Sequence, residues 1–132
     1  MLRFNMAEVY GANGEGVDSY SADGADGMVN SSFYNNGGIG FKLARGAYIR
    51  NSNFYGNGSA GLTYSYGLDA KNIRAYNNGG TGISQYYSSS AKMENIIAYG
   101  NGTDGLILGD NTKAYNLYLA NNGKAGLRVP SG

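Results

Sequence analysis

The sequence predicts an all-β chain wound into one solenoid of about six coils, and three observations predict it. A Tyr/Asn/Gly cluster recurs six times, closing on Gly16, Gly40, Gly61, Gly82, Gly105 and Gly126, at spacings of 24, 21, 21, 23 and 21 residues. Apolar and polar residues alternate on either side of each cluster, the period-two pattern of a strand with one buried face. Asparagine recurs in two fixed registers, one at Asn30, Asn51, Asn72, Asn95 and Asn116, the other at Asn36, Asn57, Asn78, Asn101 and Asn122. Helical repeats would need units of roughly 33 to 47 residues and a period of about 3.6; neither is present.

Each unit opens on a short strand-like piece, around Phe4, Met28, Ile49, Ala70, Met93 and Ala114. The first asparagine register follows it, with Met6 in that place in the first coil. The next piece carries inward pairs: Ser31/Phe33, Ser52/Phe54, Ile73/Ala75, Ile96/Ala98 and Leu117/Leu119. Small Ser accompanies Phe and larger Ile accompanies Ala, as a core of constant cross-section requires, because voids and overpacking both cost stability. The second asparagine register sits in the corner that follows. Stacked asparagines hydrogen-bond along the coil axis as ladders and tolerate tight corners. The Gly column at 37, 58, 79, 102 and 123 is expected to take backbone conformations closed to other residues. The last piece starts at Val17, Phe41, Leu62, Ile83, Leu106 and Leu127, and two positions on carries Leu43, Tyr64, Leu108 and Val129, with Ser19 and Gln85 as polar exceptions. The extra residues of the longer units are assigned to loops at 21–27 and 87–90. Six coils at about 4.8 Å span roughly 25 to 30 Å, a short rod whose two ends expose backbone and apolar side chains.

At 132 residues the chain is read as one domain, 1–132, without obvious caps. Its net charge of +1 argues against a nucleic-acid partner and a polybasic membrane anchor. No apolar run approaches about 18 residues, so no membrane span is expected, and residues 1–6 lack the apolar core of a signal peptide. There is no Cys and no His, which removes thiol nucleophiles, thiolate metal sites and the commonest general base. Leu, Ile, Val and Phe together are 24 residues, under a fifth of the chain, so each must serve at a repeated position.

The candidate ligand-binding residues are Tyr34, Tyr55, Tyr76 and Tyr99, which with Tyr10 follow an inward residue and should therefore point outward. Stacked at the coil spacing they form an aromatic strip that could meet sugar rings or a protein partner, or could serve the stack itself as cross-strand pairs. Lys42, Arg45 and Arg50 lie close in sequence, with Lys42 expected beside Asp18 of the preceding coil. Segment 100–106 partly imitates a calcium-binding nonapeptide but has no adjacent copy. Asp69, Asp104 and Asp110 share no offset, so no metal, no cofactor and no catalytic pair is assigned.

The unit resembles the right-handed parallel β-helix repeat of carbohydrate-binding and sugar-active proteins. Segments such as Ala98-Tyr99-Gly100-Asn101-Gly102-Thr103-Asp104-Gly105-Leu106 look most like the catalytic-module coils of mannuronan (alginate) C5-epimerases. That family carries a Tyr-Gly-Phe-Asp-Pro-His-Glu type motif. In the matching stretch Asp18 is retained, Ser19 and Tyr20 replace Pro-His, and Glu15 stands at the Tyr position. Asp18 and Tyr20 alone do not make the acid/base set that such chemistry needs. The resemblance implies right-handed winding, polysaccharide as partner, and an extracellular or virion location. Three functions stay open: a non-catalytic scaffold or polysaccharide-facing module; a component of an assembly such as a phage fibre, tailspike or decoration protein, with end-to-end or homo-oligomeric contacts; and a polyuronate epimerase or lyase.

Overall fold

The computed structural model describes residues 2–19, 26–86 and 90–130. Twelve strands run in chain order: β1 (Arg3–Asn5), β2 (Glu8–Tyr10), β3 (Val17–Ser19), β4 (Asp26–Val29), β5 (Ser32–Tyr34), β6 (Phe41–Tyr55), β7 (Leu62–Tyr76), β8 (Ile83–Gln85), β9 (Ala91–Tyr99), β10 (Leu106–Ile107), β11 (Thr112–Ala120) and β12 (Leu127–Arg128). Every pairing is parallel and joins like position to like position one coil on. Val17 meets Phe41, Phe41 meets Leu62, Leu62 meets Ile83, Ile83 meets Leu106, and Leu106 meets Leu127. The sequence spacings are thus the coil lengths, and the chain is a β-solenoid of about six turns.

Each coil has three faces. Face A contains β3, the start of β6 and β7, β8, β10 and β12. Face B contains β1, β4, the middle of β6 and β7, and the first halves of β9 and β11. Face C contains β2, β5 and the ends of β6, β7, β9 and β11. The fifteen-residue strands β6 and β7 are each bent twice, at Gly46 (φ 36°) and Asn51 (φ 50°), and at Gly67 (φ 49°) and Asn72 (φ 57°). A residue at positive φ turns the chain from one face to the next without breaking the ladder to its neighbours.

The B–C corner is the first asparagine register. Asn30, Asn51, Asn72, Asn95 and Asn116 all lie between φ 50° and 57°, a region that asparagine reaches more readily than other side chains. From Asn51 onward each donates from Nδ2 to the Oδ1 of the coil before, at 2.9–3.2 Å. Met6 is in this column at φ 55°, largely exposed. The second register forms a buried ladder of opposite sense at the C–A corner: Asn36, Asn57, Asn78 and Asn101 each donate from Nδ2 to the Oδ1 of the following coil, at 3.0 Å.

The Gly column at 37, 58, 79, 102 and 123 departs from expectation. None of these glycines has positive φ. A Cβ on Gly58 would collide with the carbonyl oxygen of Gly37, and one on Gly79 with that of Gly58. Close approach of neighbouring coils excludes the side chain here. The left-handed position is two residues earlier, where Gly11, Asn35, Gly56, Asn77, Gly100 and Asn121 lie between φ 52° and 75°.

The core is the file of inward residues. Ser31, Phe33, Ser52, Phe54, Ile73, Ala75, Ile96 and Ala98 are all buried, so the Ser/Phe and Ile/Ala compensation holds through four coils. The polar exception at Gln85 is resolved by hydrogen bonds. Gln85 Oε1 accepts from the Tyr64 hydroxyl (3.0 Å), the Gly109 N–H (2.6 Å) and the Thr112 hydroxyl (3.3 Å). At the last coil Leu117 and Leu119 are only half-buried, while Leu127 and Val129 are exposed.

Candidate functional site

Strand alternation sends Tyr10, Tyr34, Tyr55, Tyr76 and Tyr99 outward on face C, and coil register places them over one another. The ring centroids are 5.0, 4.8, 4.9 and 5.1 Å apart, with interplanar angles of 14°, 1°, 4° and 4°. This near-parallel spacing is the coil repeat itself, so the backbone imposes it. The file ends at Ala120, which pairs with Tyr99. Tyr10 is exposed and the other four are half-buried. Each interior ring spends both faces on its neighbours, leaving its edge to solvent. Burial in the stack raises the pKa of Tyr34, helped by Glu8 and Tyr10. It raises that of Tyr55, helped by Tyr34 and Glu8, and that of Tyr76, helped by Tyr55 and Tyr99 and opposed by Arg74. These three are therefore neutral phenols at neutral pH, able both to donate and to accept hydrogen bonds.

Face A holds a cleft of about 280 Å³ lined by Asp18, Ser19, Lys42, Leu43, Ala44, Ser65 and Tyr86. Asp18 pairs with Lys42 in register, and Lys42 Nζ lies 3.3 Å from Asp18 Oδ2, as the sequence leads one to expect. The next outward residue in that file is Thr63, which is buried with its Oγ1 unbonded. Tyr20, the other residue singled out beside Asp18, lies outside the described residues, as do positions 21–25 and 87–89 of the assigned loops.

Lys42, Arg45 and Arg50 do not form one patch. Winding distributes them around the coil. Lys42 is on face A, Arg45 has its guanidinium carbon 5.5 Å from the Tyr66 ring centroid, and Arg50 is on face B, bonded to Asp69 Oδ2 at 2.8 Å. Asp104 is buried and has a structural role, accepting from the Ala125 N–H (3.0 Å) and pairing with Arg128 (3.1 Å). Among the described residues no group of three or more acidic side chains is placed to hold a metal ion.

One feature escaped the sequence reading. A groove of about 480 Å³ follows the A–B corner, passing Gly46, Gly67, Ser90 and Asn111, with Asp69, Lys92 and Lys113 on its face-B side. The signal was available, since the two lysines occupy the same position of successive units, 21 residues apart.

Three parallel faces, positive-φ corners and asparagine ladders define the parallel β-solenoid class. Within it the chain belongs to the right-handed β-helix family, whose model, described as "Right handed beta helix region", matches residues 2–129. The crystal structure of pectate lyase Pel9A is similar in fold, with a TM-score of 0.74 and 15% identity over 92% of this chain. The match covers 38% of the lyase chain, so this chain spans just over a third of that protein's length. A search of curated proteins finds no match. The likeness to epimerase coils is one of segment style and adds nothing to the family assignment.

Proposed function

We propose that this chain is a non-catalytic, polysaccharide-facing β-helix module, with Tyr34, Tyr55, Tyr76 and Tyr99 as its ligand-contacting strip. The observation that carries the reading is the straight, half-exposed file of parallel rings, which presents a row of neutral phenol edges at one per coil. An interior ring cannot take a sugar flat on its face, because both faces are occupied. The strip instead offers hydroxyls and ring edges to a glycan laid along the axis, and the spacing of about 5 Å is of the order of one pyranose. The fold likeness to a polysaccharide lyase supports the same ligand class.

The test is Tyr55→Ser with Tyr76→Ser, read by glycan-array binding and by thermal unfolding. The double variant breaks three ring stacks, each worth about 0.2–1 kcal/mol, so it stays folded. Binding is expected to fall about tenfold or more, equivalent to about 1.4 kcal/mol. Unchanged binding, or a wild-type chain that binds no glycan, overturns the reading. Release of an unsaturated uronate from the bound glycan would replace it with a lyase. The exposed Leu127 and Val129 favour a second reading, a structural segment against which further coils or chains stack. Solution scattering tests that: length-variable multimers support it and a stable monomer opposes it.

A further inference from the structure

We infer that the A–B corner groove is an anion-binding subsite for an acidic glycan, with Lys92 and Lys113 as its cationic pair. The inference rests on the polysaccharide reading above and specifies the ligand's charge and a second place where it is held. Lys92 and Lys113 are direct cross-strand partners in adjacent coils, both exposed. Adjacent strands lie about 4.8 Å apart, and like charges directly opposite one another destabilise a sheet. On its other side Lys92 faces Asp69, so the like-charged contact is the one between Lys92 and Lys113. Asp69, the next residue in the file, is held by Arg50 at 2.8 Å. Glu94, two residues on from Lys92, is held by Lys71 at 3.2 Å. Asp69 and Glu94 are thus engaged by Arg50 and Lys71, and the two ammonium groups stand at the groove's edge.

The groove floor is open because of its corner residues. Gly46 and Gly67 turn the chain at positive φ. A Cβ on Gly46 would meet nothing within 4 Å, and one on Gly67 only the Gly46 Cα at 3.8 Å. The space is therefore available to a ligand ring approaching the backbone, while Ser90 and Asn111 continue the edge with polar side chains. From Gly46 to Asn111 the corner spans four coils, about 14 Å along the axis. That length suits a short run of sugars lying parallel to the axis, with successive anionic substituents over Lys92 and Lys113. The shared chemistry is a carboxylate or a sulfate ester on a pyranose. The overall charge of +1 disfavours a nucleic acid, which needs a more extensive basic surface.

The experiment measures binding of short uronic-acid oligomers, sulfated oligomers and neutral glucan oligomers, with a single-stranded oligonucleotide for comparison, at low and high salt. Wild type is expected to prefer the anionic sugars and to weaken with salt. In the Lys92→Ala/Lys113→Ala variant that preference should fall about tenfold and the salt dependence should flatten. Both side chains are exposed and repel one another, so the double Ala variant should unfold no earlier than wild type, and the corresponding double Arg variant should retain binding. Preference for uronate or for sulfate identifies the source of the anion. The inference is overturned if the double Ala variant binds anionic oligomers as wild type does, or if the oligonucleotide outcompetes both sugars. Binding of neutral glycan alone overturns this inference and leaves the polysaccharide module standing. Absence of binding to any glycan overturns both.

Discussion

Removing Asn78 tests the buried ladder at its most connected point. Asn78 is 2% exposed. Its Oδ1 accepts from the backbone N–H of Asn57 (3.1 Å) and from Asn57 Nδ2 (3.0 Å), and its Nδ2 donates to the Phe54 carbonyl (3.1 Å) and to Asn101 Oδ1 (3.0 Å). In Asn78→Ala, two donors on Asn57 lose their acceptor in a site that water does not reach. At about 1–3 kcal/mol for each stranded group, with the Phe54 carbonyl weakened as well, the expected cost is about 3–6 kcal/mol. That is a large part of the roughly 5–15 kcal/mol that holds a domain folded. The control is Asn72→Gly, which keeps a backbone suited to φ 57° and loses only solvent-facing bonds to Asn51 and Asn95; it should cost about 1 kcal/mol or less. Asn78→Asp sharpens the comparison. Its carboxylate still accepts from Asn57 but faces the Phe54 carbonyl and Asn101 Oδ1, both acceptors. Its carboxyl then ionises less readily folded than unfolded, so stability is low at neutral pH and recovers as pH falls. Urea unfolding followed by far-ultraviolet circular dichroism measures all three. If Asn78→Ala falls within about 1 kcal/mol of Asn72→Gly, the ladder is not what the geometry says it is.

Met6→Asn is expected to stabilise the first coil by about 1 kcal/mol, since asparagine tolerates φ 55° better than methionine does and offers Asn30 Nδ2 an acceptor; the unfolding midpoint should rise. Gly58→Ala forces a Cβ onto the Gly37 carbonyl and should destabilise by about 2 kcal/mol or more, whereas Ser59→Ala one residue on should be nearly neutral. Gln85→Leu removes the acceptor shared by the buried Tyr64 hydroxyl and the half-buried Gly109 N–H and should cost about 1–3 kcal/mol by the same assay. Burial raises the pKa of Tyr64 strongly, and that of Tyr34, Tyr55 and Tyr76 in the same direction. The folded state therefore holds these protons more tightly than the unfolded state. Stability should stay level up to the ordinary tyrosine value of 10.0 and fall as pH rises through the raised values. Loss of stability between neutrality and pH 9 would contradict this.

Much of the architecture was legible because a solenoid converts sequence period into spatial contact. Once Asn36, Asn57 and Asn78 are seen to recur, their stacking follows, and with it the outward direction of Tyr34, Tyr55 and Tyr76. The candidate sites were less legible. Lys42, Arg45 and Arg50 are neighbours in the chain, yet the turns at Gly46 and between faces send them to different surfaces, so local sequence proximity misleads. Lys92 and Lys113 are far apart in the chain and adjacent in space, and only their common register signals it. The sequence reading put conformational freedom at Gly37 and its column, whereas packing between coils is what requires glycine there.

By itself the sequence determined the coil length, the inward files and the two asparagine registers, because strand alternation and stacking of like on like depend only on spacing. The tertiary structure alone decided which corner residues lie at positive φ, which cations find carboxylates, and that the tyrosine faces are spent on one another. Those outcomes depend on distances across coils and on competition among nearby partners, and a linear period carries neither.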